Sequence, residues 1–468
     1  MSTGARGRQI LSVITLFALQ VLLAFHIRLR AWPETLVPAW LVSRGWMLYR
    51  DVKFAHTPLW IGVEALIGRA LGFNAPALRV LSLGPAFLAH AALWRAGGKR
   101  GWRTGARIGA SLFFLATFYL WDGNAVYPDV AIAALAIPAF LALERRTPRG
   151  AASAGLLLGA AVAIKQPAAL ALLAAAVWVA ATARPLLGRL LVFAAIPLAA
   201  CAAVFAAAGG LREMLLWTVV VPLRDYRGRT NLGIGEAQVP FVLLGALTLA
   251  AYLAFGRRGR VGSPPSSSLL ILLTLGFAAM AYPKFELVHL IAAVPLLAVA
   301  AGETFDAARR LPGAARLAAA IPAVVIALDA AFLATDTSSG EISFWNSAAD
   351  DAIVRRLAAL PPAPLYLYGP DQNLFIRSGR VPPGGLYANP DLWYQLRAED
   401  LEARQIAVLR AHPETIVLSS GPGSIQTGDA GKRLEAFLSA NYRAPDGRRT
   451  ANRLAPRPES PPPARSIQ

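Results

Sequence analysis

The chain has 468 residues, of which 56% are hydrophobic and 16% charged, with a mean hydropathy of +0.48. Soluble domains carry about a quarter charged residues, so a freely soluble enzyme is excluded. The net charge of +19 would suit nucleic acid, but the arginines fall in short clusters between apolar runs, the pattern of cytoplasmic loops. Some of that excess is placed to meet anionic lipid head groups, and no nucleic-acid partner is expected. The single cysteine, Cys201, rules out an intrachain disulfide and a cysteine metal cluster.

The first apolar segment, 10–25, follows Arg6 and Arg8. It runs into His26, Arg28 and Arg30 without a small-residue cleavage site, and reads as a retained signal-anchor span. Residues 28–60 then bring together Glu34, Asp51, Lys53, His56, several arginines and four tryptophans. They open a first external loop spanning 28–77. Within it, 59–73 is apolar but short and carries Glu64 and Arg69, which predicts a helix lying in the interface.

Ten further segments are apolar and roughly long enough to span: 78–94, 108–120, 130–143, 151–164, 168–183, 190–208, 239–255, 269–281, 290–301 and 317–334. The expectation is an all-α polytopic membrane protein of about eleven transmembrane helices, occupying 1–335. The basic clusters at 95–107, 145–149, 184–189, 257–260 and 309–316 then all fall on one side, the cytoplasmic one. The first loop, 122–129, Lys165, 212–236 and 284–289 share the other side. The composition, rich in Ala, Arg and Leu with only five lysines, points to a bacterial inner membrane.

From 336 the composition changes. Residues 364–369 alternate like a strand, 371–379 follow with helical periodicity, and 401–421 read as helix, turn and strand. This predicts a small extracytoplasmic α/β domain over 336–450. The Pro-rich stretch 451–468 reads as a disordered tail. Neither a Walker A loop nor a Gly-x-Gly-x-x-Gly loop occurs, so direct use of ATP has no support.

Charges beside a membrane are costly to bury and usually line a cavity. The external edge carries Glu34, Asp51, Asp122, Asp129 and Glu286 beside Lys53, Lys165, Arg224, Arg227, Lys284 and His289. Cations there suit a lipid-linked phosphate, and an acid suits the proton of an acceptor hydroxyl. Each residue also fits a purely structural role. Asp51 fits a cap for the turn after Gly45. Glu34 and Asp129, each next to a proline, fit helix-start acids. Asp122 fits a loop cap, His289 an interfacial histidine, and Lys165 and Lys284 fit snorkelling lysines. The stretch 222–231 fits a solvated basic loop.

Glu34, Gly45-x-x-x-Tyr49-x-Asp51 and His56-Thr57-Pro58-Leu59 carry a resemblance, together with 71–79, Tyr127-Pro128-Asp129, the Gly-x-x-x-Gly-x-Ala run before Lys165-Gln166-Pro167, and 284–289. Over roughly the first 335 residues the chain resembles the polyprenyl-phosphate-sugar-dependent glycosyltransferases of the GT-C superfamily. These include the dolichyl-phosphate-mannose-mannosyltransferase-like bacterial membrane proteins. The resemblance implies a GT-C-like fold and an inverting hexosyl or pentosyl transfer from a polyprenyl-phosphate sugar to an envelope glycan, lipid or protein. It implies a catalytic set drawn from Glu34, Asp51 and Asp129, with Lys165, Arg224, Arg227, Lys284 and His289 contacting donor phosphate. Tyr49, Lys53 and His56 would support the first loop. The family's first-loop acid is more often Asp, frequently followed by Glu; here Glu34 is followed by Thr35, so Asp51 competes for the role of base. A divalent cation (Mg2+ or Mn2+) is compatible with the family, for instance between Asp51 and Asp129. Two other classes stay open: a transporter or flippase of lipid-linked saccharides, and a non-catalytic binder of them.

Overall fold

The computed structural model describes residues 3–225, 239–256, 264–282, 286–308, 313–335, 341–343, 345, 348–368, 371–387, 398–419, 432–443 and 455–456. By its internal contacts the chain forms two compact units. One comprises 1–31, 56–211 and 230–343; the other comprises 32–55, 212–229 and 344–468.

The first unit is helical because its segments are Ala- and Leu-rich, and because a helix satisfies every backbone polar group within itself in lipid. Helix α1 (Thr3–His26) leads into strand β1 (Leu29–Ala31), and α2 (Pro33–Ser43) belongs to the second unit. Then come α3 (Leu59–Leu71), α4 (Ala75–Lys99), α5 (Thr104–Leu120), strand β2 (Ala125–Val126), α6 (Pro128–Glu144), α7 (Pro148–Ile164), α8 (Ala169–Thr182) and α9 (Leu187–Ala207). Helix starts follow local chemistry: Asn74 accepts from the Ala77 amide at 3.0 Å, Thr147 caps Gly150 at 3.1 Å, and α6 opens on Pro128.

Each of the eleven predicted segments is largely helical, and 168–183, 239–255, 269–281 and 290–301 each join two or three successive helical elements. Four helices among the described residues combine the length and apolarity to cross a membrane: Gln9–His26, Ala75–Lys99, Arg184–Ala207 and Leu287–Ala308. Thr104–Leu120, Pro148–Ile164, Gln166–Thr182, Val239–Phe255, Ser266–Ala281 and Ala320–Ala334 are apolar but shorter. Of the eleven expected crossings, four match full-length apolar helices among the described residues and six match these shorter apolar ones. Leu287–Ala308 is almost wholly buried and forms the middle of the unit, whereas α1 and α9 expose most of their apolar surface. Glycines set the closest approach: a Cβ on Gly155 or Gly159 of α7 would meet the carbonyls of Leu190 and Ala194 on α9. Small residues at this spacing are how membrane helices bring their backbones together.

One feature of this unit was not expected from the sequence. β1 pairs in parallel with β2 (Arg30 opposite Ala125) and with β3 (Ile342–Ser343; Leu29 opposite Ile342). Asn124 fixes this sheet by donating to the carbonyls of Ala24 (3.0 Å) and Ile27 (2.8 Å) while accepting from Ser82 (3.1 Å). The basic stretch 95–107 also departs from a simple solvated loop. The Arg100 guanidinium is buried, bonded to Glu144 and, at 2.5 Å, to Glu303, whose carboxylate also accepts from the Trp102 indole at 2.9 Å.

In the second unit, strands β4 (Leu365–Tyr368) and β5 (Ile416–Ser419) pair in parallel, with Leu365 opposite Ile416. Helices Asn373–Ser378, Ala398–Ala411 and Lys432–Asn441 accompany them. Tyr366, Tyr368, Leu409, Val417, Leu434 and Leu438 make its core. The helix Asn373–Ser378 packs on α2 of the same unit. Apart from 455–456, the predicted tail 451–468 lies outside the described residues.

Candidate active site

Three helix ends of the first unit converge on one buried ionic cluster. Tyr127 is extended and Pro128 starts α6, which puts Asp129 in its first turn, fully buried. α7 stops at Ile164, and Lys165 is extended (φ −154°, ψ 119°) ahead of a short 3-10 turn, Gln166–Ala168. His289 lies in the first turn of Leu287–Ala308. The Lys165 ammonium donates to Asp129 Oδ2 at 2.6 Å and to His289 Nδ1 at 3.0 Å.

The geometry also fixes the histidine. An ammonium has only donors, so His289 Nδ1 accepts and the ring proton sits on Nε2. Nε2 faces Glu286 Oε2 at 3.8 Å. The Tyr127 ring lies 5.2 Å from the Lys165 nitrogen, within cation–π range. Asp129 Oδ1 is buried with no hydrogen-bond partner among the described residues.

The His56-Thr57-Pro58 segment secures this cluster. Thr57 donates to the Val162 carbonyl at 2.7 Å, near the end of α7. His56 Nδ1 lies 3.4 Å from Gln166 Oε1. Burial, then the Lys165 charge, push His56 down to about 3, so it is a neutral imidazole.

No protein-family model matches the chain, and neither does any curated protein sequence. Solved structures do. The crystal structure of ArnT from Cupriavidus metallidurans bound to undecaprenyl phosphate superposes with a TM-score of 0.59 at 13% identity, covering 94% of this chain and 97% of that one. The apo ArnT structure gives 0.54 at 14% identity, covering 97% and 98%. The fold is that of ArnT. At this identity the likeness speaks for the fold alone, and it extends over both units of the chain.

On this ArnT-like frame the first-loop residues form a second cluster, in the second unit. Gly45 (φ +92°) and Tyr49 (φ +71°) take left-handed conformations, which favour glycine and strain tyrosine. The turn holds because Asp51 Oδ2 accepts from the Met47 amide at 2.8 Å and the Tyr49 amide donates to the Val52 carbonyl at 2.7 Å. Arg50 grips both Asp51 oxygens, at 2.9 and 3.0 Å. That guanidinium, opposed by partial burial and helped by the Met47 amide, holds Asp51 below the usual carboxylate range. Lys53 donates to the Tyr49 and Arg50 carbonyls at 2.8 and 2.7 Å, and burial, then Arg404, push it down.

Glu34 is half-buried in the first turn of α2. Its neighbour Tyr387 escaped the sequence reading. The Tyr387 hydroxyl donates to the Lys53 carbonyl at 2.5 Å, and burial, then the Glu34 charge, raise its pKa. No local signal marks Tyr387, because its partners stand more than 300 residues earlier.

The structure thus groups Asp129, Lys165, His289 and His56, and separately Tyr49, Asp51, Lys53 and Tyr387 with Glu34 near Tyr387. Asp122 turns out to be structural: it pairs with Arg30 at 2.7 Å beside the β1–β2 junction. Arg224 falls in the short helix Val221–Asp225, while Arg227 and Lys284 lie outside the described residues. Among the described residues no group of three or more His, Cys, Asp or Glu converges as metal ligands. Asp51 and one oxygen of Asp129 are already engaged by protein donors.

Proposed function

We propose that this protein is a membrane glycosyltransferase that moves a hexose or pentose from a polyprenyl-phosphate donor to a hydroxyl of an envelope glycan, lipid or protein, with inversion, on the extracytoplasmic face. The observation that carries this reading is the buried Lys165–Asp129–His289 cluster in a fold whose ArnT example is bound to undecaprenyl phosphate. The one-sided arginine clusters support the sidedness.

The roles are those that the GT-C resemblance implies. Glu34 takes the acceptor proton, the acceptor oxygen attacks the anomeric carbon, and the bond to the donor phosphate breaks with its electron pair leaving on phosphate. One displacement inverts the centre. Glu34 is taken as the base by its motif position in the GT-C resemblance, with Asp51, held by Met47 and Arg50, as the competitor. Lys165 meets the departing phosphate charge: two of its three protons are directed at Asp129 and His289, leaving one for a phosphate oxygen. Asp129 holds the Lys165 ammonium in place. Arg224, Arg227 and Lys284 remain further phosphate contacts in this reading, with Tyr49, Lys53 and His56 as scaffold.

The test is transfer by purified protein supplied with a polyprenyl-phosphate-linked sugar. Glu34→Gln should lower turnover by about 100-fold or more, the usual worth of a general base. A folded Glu34→Gln protein with wild-type turnover removes the base assignment. Movement of the lipid-linked sugar between leaflets without product would replace the enzyme reading by the transporter one.

A further inference from the structure

The second unit contains an open cleft of about 550 Å3, lined by Arg44, Trp46, Arg50, Asp51, Gly384 and Arg404 with the backbone of Gly45. That volume is within the range of small-molecule sites, about 300–1,000 Å3. The cleft is built by two tight backbone segments. Gly45 makes the first turn, at φ +92°, and Gly384 and Gly385 the second, at φ +52° and +76°. A Cβ on Gly385 would strike the Asp51 carbonyl, so the second segment can close on the first only through glycine. Tyr387 then fastens the two by its bond to the Lys53 carbonyl.

The charge on this cleft is one-sided. Arg44, Arg50 and Arg404 line it, against the one carboxylate of Asp51. Asp51 is held by Arg50 and the Met47 amide, so its charge faces protein donors. The Arg44 guanidinium carbon lies 4.3 Å from the centroid of the Trp40 ring, a cation–π contact that restrains its planar fork. Arg404 is exposed on the helix Ala398–Ala411. Two arginine forks suit a carboxylate or phosphate, and the half-buried Trp46 indole in the same lining suits the apolar C–H face of a pyranose ring.

We propose that this cleft binds an anionic saccharide, with the sugar ring on Trp46 and its carboxylate or phosphate between Arg44 and Arg404. The assignment rests on the glycosyltransferase reading in one respect: it makes the acceptor a negatively charged glycan.

The experiment is calorimetric titration of the full-length protein in neutral detergent, without donor, using trigalacturonate, glucose 6-phosphate, maltotriose and inorganic phosphate. One or both anionic sugars should bind at least about tenfold more tightly than maltotriose and than inorganic phosphate, with affinity falling as salt rises. Arg404→Gln and Arg44→Gln should each weaken that binding about tenfold, and Trp46→Ala should weaken it while the thermal melting of all three variants stays close to wild type. Equal binding of maltotriose, equal binding of inorganic phosphate, no binding of any probe, or indifference to both arginine changes each overturns the proposal. A protein that transfers sugar yet ignores these probes keeps its enzymatic assignment and loses this one. One that binds them and transfers nothing keeps the cleft and loses the enzyme.

Discussion

Lys165 is the residue on which most depends. Removing one member of a buried ion pair strands the other, at a cost of about 3–5 kcal/mol. Lys165→Met should therefore destabilise the protein by that order and abolish transfer. Adding Asp129→Leu removes the stranded charge, so the double variant should regain most of the thermal stability but none of the transfer. A double variant with normal turnover would reduce the cluster to a structural clasp. In the first loop, Glu34→Gln and Asp51→Asn should separate. The carboxamide oxygen introduced by Asp51→Asn can still accept from the Met47 amide, so the loss of turnover in that variant should stay within about tenfold, against about 100-fold or more for Glu34→Gln. The reverse order in a transfer assay would reassign the base to Asp51.

The sequence already suggested that Asp51 caps a turn, because Gly45-x-x-x-Tyr49-x-Asp51 places an acceptor where a turn leaves amides unpaired. It placed Asp129, Lys165 and His289 on one external face without showing that the three meet. Nothing local joins positions separated by 36 and 124 residues, and only the packing of three helix termini brings them to one point.

At the scale of elements, the α7–α9 contact depends on Gly155 and Gly159. Gly159→Ile would force its side chain against the Ala194 carbonyl. The expected outcome is a large fall in melting temperature in detergent, because overpacking a close helix contact costs about 1–3 kcal/mol or more. An unchanged melt would show that α9 is not held by α7. The Gly-x-x-x-Gly pattern was legible as a motif, but its role as a helix contact was not, since the sequence does not say which helix it faces.

In the second unit, burial pushes the Asp371 carboxyl up to about 7, well above its value in an unfolded chain, about 3.9. The folded state therefore binds the proton more tightly. This contribution to stability is fully present at acid pH and is lost as pH rises through about 7. Amide protection of β4, corrected for intrinsic exchange, should be higher at pH 5 than at pH 8, and Asp371→Asn should flatten the difference. Equal protection at both pH values in the wild type contradicts this. The strand pair β4–β5 was visible as alternation and as helix–turn–strand. The β1–β2–β3 sheet was not, because strands of two or three residues set no period.

For the whole molecule, hydropathy and arginine placement gave the membrane class and the helical segments. Length and apolarity single out four full-length spans. The arginines were read together as one charged rim. Arg100, buried between Glu144 and Glu303, shows that such a rim also ties helices to one another. The ArnT likeness spans nearly all of the chain, while identity of sugar and acceptor rests on side chains that the fold does not dictate.

The most direct test is reconstitution of the purified protein with a radiolabelled polyprenyl-phosphate sugar and a hydroxyl-bearing envelope acceptor. The prediction is donor-dependent product with inverted anomeric configuration from the wild type, and product lowered about 100-fold or more by Glu34→Gln and by Lys165→Met. Product with retained configuration, or undiminished product from both variants, would contradict it.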